Sequence, residues 1–304
     1  MSQHTTFLAQ FRSFCFQNKA DDIEKAIEYF AVFGGMGWKV DMSKPLDELI
    51  ETKVLANYRY IHADIAKITQ SNKNHHSLLS ALASGDRREH SAFKRASLSR
   101  KDGEESAGFL IDTGLLTYIS SQEMPADDGE EVSGRLLFVT PFMRFWFAAI
   151  SPYYKGVRDG NYAEVKEHWG NIKQEFITQT YEGLVMALVQ KTFADDTIKN
   201  IGSYWDKNVE IEILGQTKSG KIIAGACKYS KSKANRSEIT KLQEKCAKAK
   251  LAPDICVIYS KGGFSSEFNK EKSADLRLFA LKNLKILMET LNEKDILITT
   301  NKKY

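Results

Sequence analysis

Three positions in the second half of the chain carry the pattern best able to do chemistry. They are Glu212 in NVEIEILG, and Ala226 and Lys228 in IIAGACKYS. A Mg²⁺-dependent phosphodiesterase needs at least two oxygen ligands to hold its metal against the scissile phosphate. It gains from a lysine that orients water or offsets charge developing on phosphorus. The economical layout is an acid on one strand and Glu-x-Lys on its hairpin partner, because residues two apart on a strand share a face. Glu212 supplies the acid and Lys228 the lysine, but Ala226 stands where the second carboxylate belongs. Glu210, which shares a strand face with Glu212, and Glu238, at the start of the next helix, are acids that could substitute for it. Taken without any catalytic role, Glu212 and Lys228 read as a cross-strand ion pair, worth about 0.2–1 kcal/mol if exposed.

The charge asymmetry fits a polyanion partner for the C-terminal part, and on charge alone it reads rather as a solvated lysine-rich surface. Residues 217–304 hold 19 Lys and Arg against 9 Asp and Glu, a balance of +10, so the first 216 residues carry −6 of the overall +4. Lys228, Lys231, Lys233, Arg236 and Lys241 form the densest basic cluster, suited to following a phosphate backbone without reading sequence. Four cysteines, Cys15, Cys227, Cys246 and Cys256, show neither zinc nor disulfide spacing and read as reduced thiols of a cytoplasmic protein. No apolar run approaches the ~18 residues of a membrane span. Adjacent His75 and His76 cannot share a ligand from one helix face, where a spacing of three or four is needed. His168, beside Trp169, reads as structural.

The elements that must position these residues follow from periodicity. Residues 1–70 read as a helical lead-in. DDIEKAIEYFAVF opens on acids and repeats apolar residues at helical spacing, and GGMG ends it. That GGMG is no phosphate loop, because Lys39 is followed by Val40 and a helix precedes it. Helix resumes from about Pro45. Residues 71–150 give helix, helix, helix and a strand–loop–strand, the layout of a winged helix-turn-helix. Its second helix carries Arg87, Arg88, Lys94 and Arg95 as a DNA-reading helix would, while the wing holds Asp127, Asp128, Glu130 and Glu131, which repel phosphate. Phe142, Phe145, Trp146 and Phe147 read as the core of a connecting helix with Arg144 paired. Residues 151–304 read as helix, then strand, strand, helix, strand and a long final helix over SADLRLFALKNLKILMETL. This is an α/β sandwich whose crossover helix makes the later strand parallel to an earlier one. The fold class is therefore α+β to α/β.

Several segments together carry a resemblance. PFMRFWF, YEGLV, IGSYWDKNVEIEILG, IIAGACKYS and IYSKGGF occur in the order of motifs found in the PD-(D/E)XK nuclease-like domain attached to archaeal-type DEXX-box ATPases. From about residue 75 to about residue 300 the chain resembles the winged helix and nuclease-like half of that family, without the P-loop ATPase. The resemblance implies a restriction-endonuclease-like domain. Glu182, Glu212 and Lys228 would be its catalytic positions, and Glu182, Glu212 and Glu210 the ligands of a Mg²⁺ or Mn²⁺ ion if the site is active. Against the family pattern, Glu212 replaces an aspartate, another hard oxygen ligand, whereas Ala226 removes a glutamate outright.

The sequence therefore leads to a DNA-binding protein with a catalytically impaired nuclease-like domain, its nucleic-acid contacts drawn from Lys231, Lys233, Arg236, Lys241, Arg87, Arg88, Lys94 and Arg95. The alternatives are an active Mg²⁺ or Mn²⁺ nuclease with a relocated carboxylate, and a non-enzymatic module that docks on an ATPase partner.

Overall fold

The computed structural model describes residues 6–85, 87–122, 132–270 and 275–297. The fold is mixed α+β, as expected. Its contacts divide the chain into two compact units. Met1–Ile119, Ser133–Ile177 and Leu291–Tyr304 form the first, and Ser120–Val132 with Thr178–Thr290 form the second.

The first unit is mainly helical. Thr6 caps α1 (Phe7–Gln17) by accepting from the Ala9 amide, and Asp22 caps α2 (Ile23–Phe33) by accepting from the Lys25 amide. Phe30 is their hub, with the Phe7, Phe11 and Phe14 rings packed around it. Gly35 and Gly37 then take positive φ, which ends the segment in a turn. Helix restarts behind Pro45 as α3 (Leu46–Leu49), widens into a π-helical turn over Ile50–Leu55, and continues as α4 (Tyr58–Ile68).

Next come α5 (Lys73–Ala83), α6 (Glu89–Arg95) and α7 (Arg100–Asp112), then an antiparallel pair, β1 (Leu116–Ile119) and β2 (Arg135–Phe138). Arg87 and Arg88 do not lie on the second helix, as the sequence led us to expect. Arg88 bridges antiparallel to Arg135, and the Arg87 carbonyl accepts from Leu136 N at 2.9 Å. Their backbone groups are committed to the hairpin, so α6 begins one residue later. The acids expected in the wing, Asp127, Asp128, Glu130 and Glu131, lie outside the described residues.

The aromatic run behaves as expected. Phe142, Phe145, Trp146 and Phe147 are buried on α8 (Pro141–Phe145) and on the π-helical turn Trp146–Ile150 that follows it. Arg144 donates to the Phe176 carbonyl and lies 3.9 Å over the Phe176 ring. A short α9 (Tyr154–Arg158) leads to α10 (Ala163–Thr192), a single helix of 30 residues. The segment after residue 290 returns to α1, where Asp295 takes both Nε and Nη2 of Arg12, at 2.7 and 3.1 Å. The Leu297 amide donates to Ser13 Oγ.

The second unit is built on a five-stranded sheet in the order β3 (Ile198–Trp205), β4 (Glu210–Thr217), β5 (Ile222–Lys228), β6 (Ile255–Ser260) and β7 (Leu276–Ala280). The first three strands form an antiparallel meander. The crossover through α11 (Arg236–Lys248) makes β6 parallel to β5, as expected, and β7 is parallel to β6. Two elements differ from expectation. β3 is a strand that the period-two pattern around Glu210 did not reach. The long final helix is instead β7 followed by a 3₁₀ segment, Leu281–Met288. Its apolar residues satisfy both spacings, but Leu276 and Leu278 pack with the α11-side core while Phe279 stacks on Tyr259 at 4.9 Å. Alternate residues therefore use opposite faces. Leu214, Ala224 and Ile258 of the sheet meet Leu242 and Cys246 of α11 in that core.

Candidate functional site

The hairpin brings the candidate chemical positions onto one face. Ile213 pairs with Gly225, so Glu212 and Ala226 are the next positions along β4 and β5. On the other side Ala226 pairs with Ile258 and Lys228 with Ser260. Glu212, Ala226 and Lys228 all look toward α11. Ala226 packs against the core there, and the two charged side chains each find a partner on that helix.

Those partners are not each other. Lys245 Nζ donates to Glu212 Oε1 at 2.6 Å, and Lys228 Nζ donates to Glu238 Oε1 at 2.8 Å. Lys228 also donates to the Lys233 carbonyl at 3.4 Å, and Lys241 approaches the second oxygen of Glu238 at 3.7 Å. Burial works to raise the Glu238 carboxyl, but the Lys228 hydrogen bond and the charges of Lys228 and Lys241 outweigh it and hold its pKa below the ordinary value. Glu238 is thus committed to lysines and is not offered as a replacement ligand. Glu212 Oε2 is buried and makes no hydrogen bond among the described residues.

Glu210 opens β4 on the same face as Glu212, opposite Trp205 in the β3 ladder. Glu182 comes from α10. On the sheet face opposite Glu212 and Lys228, Cys227 is driven well above the usual thiol value, by burial first and then by the Glu182 and Glu212 charges. The neighbouring Tyr181 of α10 packs on the Tyr229 ring just beyond β5 at 4.9 Å, which sets this part of α10 against that end of the sheet. Among the described residues, no three or more His, Cys, Asp or Glu side chains gather as a metal would require.

The basic loop after β5 is held by the loop after β6. The Ala234 amide donates to the Gly263 carbonyl at 2.8 Å and the Lys261 amide to the Lys228 carbonyl at 2.9 Å. Gly262 is needed because a Cβ there would fall 2.4 Å from the Ser232 carbonyl oxygen, and Gly263 has φ +73°. The ammonium of Lys261 covers the Tyr229 ring at 4.2 Å. Lys231, Lys233, Arg236 and Lys241 are all exposed, so the second unit presents the four cations picked from the sequence on one continuous stretch, 231–241. In the first unit, Lys94 and Arg95 are exposed on α6, and Arg95 is tethered to the Ser84 carbonyl at 2.9 Å.

Residues 146–240 match the DUF234 family model, described as archaeal and bacterial proteins of unknown function. The matched stretch contains Glu182, Glu212, Ala226, Lys228 and Glu238 and stops before Lys241 and Lys245. No curated protein and no solved structure matches the chain. The residue that sequence reasoning missed is Lys245. Its signal was present, since Glu238, Lys241 and Lys245 recur at three and four residues and so share a face of α11.

Proposed function

We propose that this chain binds nucleic acid, DNA in the first instance, and that its second unit is a restriction-endonuclease-like domain with a disarmed site. The observation that carries this reading is the commitment of both would-be catalytic groups to α11. Glu212 is taken by Lys245 at 2.6 Å and Lys228 by Glu238 at 2.8 Å, with Ala226 between them. An ammonium thus supplies the positive charge that a divalent cation would bring to Glu212. Lysines 231, 233 and 241 stay exposed for phosphate contact, and each phosphate neutralised releases counterion. The winged-helix-like segment of the first unit contributes less to this reading. Its third helix, α7, carries Asp102, Glu104, Glu105 and Asp112 against Arg100 and Lys101.

The test is equilibrium binding to a random-sequence duplex in EDTA at rising salt. We expect binding that survives EDTA and weakens linearly in log–log form. The Lys231→Ala/Lys233→Ala/Lys241→Ala variant should lose about 2–3 from the slope, at about 0.9 per phosphate contact. No binding at about 50 mM salt refutes the reading and leaves the protein-docking module.

The active-nuclease reading is favoured by one observation, a Glu212 Oε2 that is buried without a hydrogen bond among the described residues. It requires Mn²⁺-dependent cleavage that is lost in both Glu212→Ala and Lys228→Ala.

A further inference from the structure

The first unit contains a cavity of about 290 Å³ between the α3–π segment and α10. That is the lower end of the range for small-molecule pockets, about 300–1,000 Å³. Its apolar lining is Ile50, Leu55, Val165 and Trp169. Two features that cost a helix stability meet there. One wall is the π-helical turn Ile50–Leu55, a form that recurs at functional sites. The other wall has Gly170 inside a 30-residue helix, where glycine is unfavourable. A Cβ at Gly170 would meet nothing within 4 Å, so no packing contact explains the missing side chain. Gly170 lines the cavity and leaves that part of its wall without a side chain.

The rim sorts charge by wall. Asp47, Glu48 and Glu51 line one side, and Lys166 and Lys173, two turns apart on α10 with Trp169 between them, line the other. Lys166 reaches Glu51 at 2.7 Å and Lys173 reaches Asp47 at 3.6 Å, and Asp47 also accepts from the Trp169 indole at 3.1 Å. Both ion pairs are substantially exposed, so opening them costs little.

The geometry points to a binding site for a small zwitterion with an apolar side chain, a free α-amino acid. Its ammonium would replace the lysines on Asp47 and Glu51, its carboxylate would take Lys166 and Lys173, and its side chain would lie on Trp169, Ile50 and Leu55. Neither charge of the ligand is left without a counter-charge, and neither lysine loses one. This site is independent of nucleic-acid binding in the second unit.

The test is a thermal-shift and calorimetric screen of the full chain against the aliphatic and aromatic L-amino acids, each to about 10 mM, since a ligand that binds only the folded state raises its stability by mass action. N-acetyl-leucinamide, which lacks both charges, is the control. At least one amino acid should bind, and the uncharged control should bind about tenfold or more weaker. Gly170→Leu, which fills the cavity, should lose binding while melting no lower than the natural protein, and Gly170→Ala should weaken binding less. Equal binding of N-acetyl-leucinamide overturns the zwitterion assignment. Undiminished binding in Gly170→Leu, or no binding by any amino acid, overturns the site.

Discussion

Replacing Lys245 by methionine isolates the ion pair that closes the candidate site. Methionine keeps the length and helix preference of lysine and removes only its charge and donors. The Glu212 carboxylate then loses the 2.6 Å hydrogen bond to Oε1 while Oε2 is already buried without a hydrogen bond. Breaking a fully buried pair costs about 3–5 kcal/mol, and a fully exposed one about 0.2–1 kcal/mol. The two side chains are 35% and 24% exposed. That places the loss between those limits, at about 1–3 kcal/mol. Glu212→Gln alone strands the ammonium near the surface, where water solvates it, and costs less. In Glu212→Gln/Lys245→Met no charge is left uncompensated, so the double variant should recover about 1 kcal/mol or more of the summed single losses. Urea denaturation of the four proteins, followed by tryptophan fluorescence, measures the cycle. Trp205 lies in the same unit as the pair and is fully buried. Additive losses, or a Lys245→Met variant as stable as the natural protein, refute the claim that Lys245 holds Glu212.

Glu238, whose pKa is held below the ordinary 4.5, contributes stability that is present above that value and lost as pH falls through the lowered folded pKa, so Glu238→Gln should flatten the acid limb of stability against pH. His76, held below 6.5 by burial first and then by His62 and His75, is hydrogen-bonded to Thr69 Oγ1 at 2.6 Å. Because the unfolded chain takes up its proton first, stability should fall as pH drops below 6.5 toward the folded pKa, and His76→Gln should reduce that dependence in a denaturation series from pH 7 to pH 5. Gly262→Ala should displace the 229–235 loop, cost about 1–3 kcal/mol and weaken DNA binding, as read by melting and by the duplex assay, because its Cβ meets two backbone carbonyl oxygens. Burial pushes the Cys15 thiol up to about 12 and Cys246 to about 11, so alkylation by iodoacetamide at pH 8 should label these thiols slowly in the native protein and rapidly in urea.

Much of this was legible from residues alone. The β4–β5 hairpin was readable because TKSGK sits between two runs whose polar and apolar residues separate by strand period, and the parallel β6 followed from the crossover through α11. The aromatic core at 142–147 was readable from sheer apolar bulk. What the sequence concealed was partner choice. Glu212 and Lys228 are adjacent-strand residues with opposite charge, yet each turns to α11, where Lys245 and Glu238 stand one above the other along the helix. Period and charge place a residue on a face but do not decide which of two nearby counter-ions wins, since that depends on the height of the helix over the sheet. β7 was hidden for a related reason. LRLFALKNL satisfies helical and strand spacing at once, and its stacking on Tyr259 decides between them.

The clasp between Arg12 and Asp295 has a bearing on synthesis. It joins residues separated by 283 positions, so loop closure must be paid for before the contact returns anything. As the nascent chain emerges, α1 is available from the start, but Asp295 and the Leu297 amide arrive only after the whole sheet of the second unit has been made. The Arg12–Asp295 pair is therefore a late contact, formed after the strands of the second unit have been made. A stall or premature stop between the two would release a chain with a finished sheet and an unlatched helical unit, a species that quality-control proteases recognise by local opening rather than by global unfolding.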